Sequence, residues 1–295
     1  MTWLVLALLA ALCESLKDLF SKQGLYHVPP YIAALAASAS AFPILMGTFF
    51  LTQQIPPLGE KFFVALTVSG LLNIVAILVF MKAIQDSDLS LTIPFITFTP
   101  LFLLITAPFL VGEFPAPLGN LGILLIVGGS YTLQIQEVHR GYLAPFTAIL
   151  KEKGPRRMLS VAFIYSLTSN FDKIGVLNSS PLFWSLSINA FMTAGLLLMF
   201  FLLPKSKRLQ RTKLPFHFLL LIGLFHATTL IAQNIALEQA SVPLVISIKR
   251  TSALFAVLWG SFVLREVKIR ERLTGAIMMV AGVGLMGIGE ESDYE

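Results

Sequence analysis

The stretch "LVGEF" runs from Leu110 to Phe114, and "GILLIVGG" follows from Gly122 to Gly129. A shift of 153 residues brings the same order again, with "VLREV" from Val263 to Val267 and then "GAIMMVAG" from Gly275 to Gly282. Glu113 meets Glu266, Gly122 meets Gly275 and Gly129 meets Gly282. The same shift pairs Gly70 with Gly223, Ala83 with Ala236, Phe102 with Phe255 and Phe109 with Phe262. Nearer the start the shift is 151, pairing Lys22 with Lys173, Gly24 with Gly175 and Pro30 with Pro181. Apolar residues match often by chance. Paired glycines, a paired loop glutamate and a paired lysine at a nearly constant shift do not, so the chain is two copies of one unit.

What kind of unit follows from composition. The chain has 295 residues, of which 56% are hydrophobic and 13% charged, with a mean hydropathy of +0.81. Soluble domains carry roughly 25% charged residues. A membrane-spanning helix needs about 20 mostly apolar residues. Ten such segments are expected, at 2–20, 31–51, 61–81, 90–111, 118–135, 158–176, 182–203, 214–235, 243–264 and 271–289. The alternation of a membrane barrel is absent, so the class is all-α integral membrane. The expected organisation is a first five-helix repeat at 1–135, a basic connecting loop at 136–157, a second repeat at 158–289 and an acidic tail at 290–295. Five is odd, so the second repeat enters the bilayer from the opposite side. Inverted repeats around a central cavity are the arrangement of many secondary transporters. "MTWLVLALLAALCESLKDLF" lacks a cationic leader and a small-residue cleavage site and reads as the first span. Cys13 is the single cysteine, so no intrachain disulfide is expected.

Loop charge sets an expected orientation. Arg140, Lys151, Lys153, Arg156 and Arg157 lie in one loop, Lys205, Lys207, Arg208, Arg211 and Lys213 in another, and Arg265, Lys268, Arg270 and Arg272 in a third. With Lys22 and Lys82 they fall on one side of a ten-span chain, against Lys61 alone on the other. Cationic loops stay cytoplasmic, which puts both termini outside. The loops explain the net charge of +5, so no nucleic-acid partner is expected.

The five-plus-five duplication, the loop glutamate after the fourth and ninth spans and the glycine-spaced fifth and tenth spans resemble the drug/metabolite transporter superfamily, specifically its ten-helix EamA-type members. The resemblance covers nearly the whole chain. It implies a basket of helices around a central cavity, alternating access, and termini usually drawn as cytoplasmic, which the charge rule opposes.

Several polar residues interrupt the spans. Glu14, Lys17, Asp18 and Lys22 share one helical face. A charged stripe turns away from lipid, toward the protein interior. "CESLKDLFSK" resembles the first helix of the small multidrug members, where a single Glu precedes a Lys by eight residues and exchanges protons for substrate. By that resemblance Glu14 is the proton-coupling candidate, with Asp18 beside it; the alternative is an internal ion pair that holds the bundle together. Lys17 and Asp18 are additions to that pattern. The sixth span carries Tyr165, Ser169, Asn170, Asp172 and Lys173, the last two expected near the membrane edge. Tyr165, Lys173, Lys17 and Lys22 are read as supporting residues. Asn73 and His226 hold matching positions in the third and eighth spans, and His226 reads either as a proton relay or as a hydrogen-bonded packing histidine. Gln233 and Asn234 serve either a polar substrate or helix–helix hydrogen bonds. The fourth span has Pro94, Pro100 and Pro108 with Thr92, Thr97 and Thr99, the composition of a broken helix.

"SIKRTSALF" (Ser247 to Phe255) puts Lys249 and Arg250 inside an apolar span, aligned with Ile96 and Thr97 of the first unit. Such cations need a partner. Glu14, Asp18 and Glu238 are the candidate carboxylates; a bound anion is the alternative. Plastid phosphate translocators, in the same superfamily, carry a Lys-Arg pair on the corresponding helix and hold an anionic group with it. The expected substrate-binding set is therefore Lys249, Arg250, Asn73, His226, Asn234 and Thr97.

The expected function is secondary active transport of a small organic metabolite, anionic or zwitterionic, in a multi-pass inner or plasma membrane, by proton coupling or exchange (antiport). A lipid-carrier flippase of the same superfamily is the first alternative. A lipid-modifying membrane enzyme is the second. It would need a nucleophile or metal constellation, and four scattered histidines (His27, His139, His217, His226) with no HExxH or paired-Asp motif supply none. No cofactor or metal is expected. The metabolite and the lipid bilayer are the expected partners, and a homodimer stays open. A C-terminal alkaline phosphatase fusion should be active and a C-terminal green fluorescent fusion dark; the reverse would place the termini in the cytoplasm.

Overall fold

The computed structural model describes residues 2–24, 28–52, 55–86, 93–135, 153–202, 216–255, 258–259 and 269–291. Ten α-helices carry the fold: α1 (Thr2–Gly24), α2 (Pro30–Thr52), α3 (Phe62–Asp86), α4 (Thr99–Leu110), α5 (Pro117–Ile135), α6 (Lys153–Leu177), α7 (Pro181–Leu202), α8 (Phe216–Gln239), α9 (Val242–Lys249) and α10 (Ile269–Glu291). A 3₁₀ turn, Ile93–Phe98, leads into α4. No strand occurs among the described residues. By length and apolarity alone, segments within α2, α3, α7 and α8 suffice to cross a membrane. Thr92 and Glu266 lie outside the described residues, as do the loops at 136–152, 203–215 and 260–268.

Prolines mark several helix starts: Pro30, Pro117 and Pro181 open their helices, and Pro243 is the second residue of α9. Their missing N–H costs nothing in a first turn. Gly112 stops α4. It takes a φ of +73°, open to a residue without a Cβ, and its N–H returns to the Ala107 carbonyl at 3.0 Å. That turn sets down the next residue, Glu113.

The helices of the two units interleave. α3 packs on α6, and its counterpart α8 packs on α1. α8 also packs on α2 as α3 does on α7, and α9 on α1 as α4 does on α6. α2 meets α7, α4 meets α9 and α5 meets α10. Exchanging each helix for the one five places along reproduces these pairings, the signature of a pseudo-two-fold axis. With five spans per unit, the repeats are inverted. The paired glycines sit at close contacts. A Cβ on Gly122 would lie 2.7 Å from the Gly282 carbonyl oxygen, and one on Gly129 would lie 2.5 Å from that of Gly275. Small residues let membrane helices approach this closely.

The core lies where the units cross. Val242 to Ile248 are buried all along α9, together with Leu103, Ile123, Ile126, Leu237, Met279 and Met286 from surrounding helices. A short helix buried on every side is a central element. After Lys249 the chain turns at Arg250 and Thr251 and is helical again at 252–255. The aligned region of the first unit changes from 3₁₀ to α at Phe98 and Thr99. Both central elements thus depart from a continuous helix at corresponding places.

Gly122→Val should destabilise the bundle by about 1–3 kcal/mol through overpacking against a backbone carbonyl. Gly47→Ala, where a Cβ would meet nothing within 4 Å, should leave the melting temperature in detergent unchanged.

Candidate functional site

Polar side chains converge at the crossing. α1 brings Glu14, Lys17 and Asp18, α9 brings Lys249 and Arg250, α8 brings His226 and Gln233, and α6 brings Tyr165 and Asp172. Glu14 interacts electrostatically with Lys17, Lys249 and His226. Lys249 does so with Glu14, Lys17, Arg250 and Asp172, and Arg250 with Tyr165 and Glu14.

Lys17 holds the carboxylates of α1, with its Nζ 2.7 Å from Glu14 Oε1 and 3.4 Å from Asp18. One helical turn and an adjacent residue bring all three together. The Asp18 side chain is 62% exposed, against 16% for Lys17. Lys22 lies a turn further on in α1.

Lys249 and Arg250 take neutral partners. Lys249 Nζ donates to Gln233 Oε1 at 2.6 Å. Arg250 Nη2 donates to Thr99 Oγ1 at 2.8 Å, and that hydroxyl donates in turn to the Ile96 carbonyl at 2.7 Å. Among the described residues neither cation has a carboxylate within ion-pairing distance. Glu238 is exposed at the end of α8. Arg250 Nε and His226 Nδ1 are buried without a hydrogen-bond partner. Thr97 is buried in the 3₁₀ turn, next to the threonine row that receives Arg250.

A second polar group surrounds Asp172. Its Oδ1 accepts from Ser69 Oγ at 2.7 Å, and Asn73 donates to the Ser69 carbonyl at 3.0 Å and hydroxyl at 3.3 Å. Asn234 turns elsewhere. It donates to Ser185 Oγ of α7 at 2.8 Å, and Asn170 donates to Thr106 Oγ1 of α4 at 3.0 Å. These are helix–helix bonds of the kind that substitute for water in a bilayer.

Lys173 is buried, 7% exposed. Its Nζ donates to the Leu237 carbonyl, to the Ala240 carbonyl at 2.9 Å and pairs with Glu113 Oε1 at 3.2 Å. Glu113 Oε2 accepts the Val242 N–H at 2.6 Å. One lysine therefore satisfies carbonyls at the end of α8, and one glutamate the first amide of α9, each as the local helix dipole favours. α6 runs on to Leu177, and the chain beyond it is tied down, with Asn178 accepting the Gly59 N–H at 2.9 Å. The partners Gln233, Ser69 and Thr99 carried no distinguishing signal in the sequence. Glu113 and Lys173 did, since both recur in the other unit as Glu266 and Lys22. No group of three or more metal-ligating side chains occurs among the described residues.

Ten interleaved helices with a charged cluster where they cross form the framework of a polytopic membrane protein. The profile of the EamA-like transporter family matches residues 1–134 and 157–288. The chain belongs to this family of membrane transporters of small molecules. One solved structure, described only as the crystal structure of a protein, has a TM-score of 0.75 at 14% identity and covers 96% of each chain, a likeness of fold. No curated protein matches the chain.

Lys173→Met should strand Glu113 and two helix-end carbonyls and destabilise by about 3–5 kcal/mol, as removing one member of a buried pair does. Adding Glu113→Gln should recover part of the loss in a double-mutant cycle read by denaturant unfolding.

Proposed function

We propose that this protein is a secondary transporter that carries a small anionic or zwitterionic metabolite by alternating access, with Lys249 and Arg250 as the anion-holding pair. The observation that carries the reading is the pairing of both cations with neutral oxygens, Gln233 Oε1 and Thr99 Oγ1. Each charge costs a few kcal/mol in the middle of a bilayer. Neutral acceptors solvate a cation without cancelling its field, so the flank at Lys249 and Arg250 keeps positive potential for a substrate anion. Arg250 also has Nε unsatisfied, and the guanidinium fork suits a carboxylate or phosphate held by two parallel bonds.

The remaining residues fit around this pair. His226 and Tyr165 stand within electrostatic reach of the same charges. Asn73 acts at one remove, through Ser69, and Thr97 supports the turn that carries Thr99. Asn234 and Lys173 serve packing and helix ends, and Lys17 anchors Glu14 and Asp18. The repeats at 1–135 and 158–289 supply the two halves that rock about the crossing. The basic loops stay in the cytoplasm and both termini outside.

A thermal-shift screen of the purified protein against a metabolite library identifies the ligand. Arg250→Lys should then keep its melting temperature but lose at least about 1.4 kcal/mol of binding, a tenfold effect, because an ammonium cannot reproduce the fork. Lys249→Gln should behave likewise. Unchanged affinity with a collapsed melting temperature would leave both as structural charges.

A further inference from the structure

Three carboxylates of the described residues gather at the crossing: Glu14, Asp18, whose side chain is 62% exposed, and Asp172. The first two share Lys17 as a cation. Asp172 has no cation within ion-pairing distance among the described residues. Its neighbour in sequence, Lys173, is turned to Glu113 and the end of α8. The Ser69 hydroxyl donates to it at 2.7 Å. The Trp184 indole N–H, buried without a hydrogen-bond partner of its own, stands close enough to interact with it.

We propose that Asp172, rather than Glu14, is the carboxyl that binds and releases a proton during transport, with Ser69 as its hydrogen-bond partner and Lys249 as its link to the transported anion. The step is a plain proton transfer between water and one carboxylate oxygen. Three features support it. A carboxylate without a counter-ion in an apolar bundle is costly, and taking a proton removes the charge. Glu14 has no such freedom, because neutralising it leaves Lys17 with Asp18 alone, at the longer distance. A serine hydroxyl serves both forms, donating to the carboxylate and accepting from the acid.

The surroundings of Asp172 decide the coupling. α4 and α7 contain no titratable residue. On α3, Lys82 and Asp86 lie more than three turns beyond Ser69. On α8, His226 stands with Glu14, Lys17 and Lys249. From α9, Lys249 acts on Asp172 through space. An anion seated at Lys249 therefore cancels the cation that favours ionised Asp172. Anion and proton then favour each other, and by thermodynamic reciprocity each tightens the other's binding. The coupling is symport of anion and proton. This second part rests on the anion-site reading above; the assignment of the proton to Asp172 does not.

Infrared difference spectroscopy of the purified protein without any substrate, titrated with acid, tests the two parts separately. A protonated-carboxyl band should grow in on acidification, vanish in Asp172→Asn and persist in Glu14→Gln. Ser69→Ala, which keeps the carboxyl, should retain the band and move its midpoint. Lys249→Gln should move the midpoint to higher pH. A band that survives in Asp172→Asn, or is lost in Glu14→Gln, overturns the assignment. An unmoved midpoint in Lys249→Gln overturns the symport coupling and leaves the affinity test of Arg250→Lys to judge the anion site on its own.

Discussion

Charge inside hydrocarbon must be met by something, and that requirement organises the structure. Each unit alone would expose its polar face to lipid. Interleaving eases the problem, because several of the partners come from the other repeat. Arg250 of the second unit finds Thr99 of the first, Asp172 finds Ser69, and Glu113 of the first unit finds Lys173 and the Val242 amide of the second. The glycines of α5 and α10 let the units close on each other, and so they matter to the charged centre without touching it.

The pseudo-two-fold arrangement is strong in the backbone and broken in the chemistry. Lys249 and Arg250 stand where the first unit has Ile96 and Thr97. His226 replaces Asn73, and Glu14 and Asp18 replace Tyr165 and Ser169. The asymmetric side chains give the crossing one cation-rich flank on α9 and one carboxylate-rich flank on α1.

Much of the fold was legible because it repeats. Ten apolar runs, two copies and the glycine pairs all read directly; most helices differ from the expected spans at their ends, but the fourth span divides into a 3₁₀ turn and a helix, and the ninth breaks after Lys249. The site was legible in part. Lys249, Arg250, Glu14, Lys17 and Asp18 stood out because charge in an apolar run has few explanations. Their partners did not. Gln233, Ser69 and Thr99 look in sequence like Asn234 and Asn170, which only bond helix to helix. A lone polar residue in an apolar run reads the same whether it faces a neighbour or a ligand, and which of these holds depends on the rotation of helices distant in sequence. Lys173 sits near a helix end, and sequence position does not report that two more helix ends close over it.

The interleaved pairing also constrains how the chain is assembled. A polypeptide enters the bilayer from its N-terminus, with early segments inserted before later ones exist. α1 packs chiefly on α8 and α9, and α3 on α6. The first unit therefore has to wait in the membrane without its proper neighbours. The Lys17–Glu14 contact needs only one turn of one helix, so it can form while α1 is still alone and shield both charges during insertion. The contact of Gly122 with Gly282 spans more than half the chain and involves the last helix made, so it has to await the synthesis of α10. Long-range closure of this kind slows folding, and the last helix made completes the bundle.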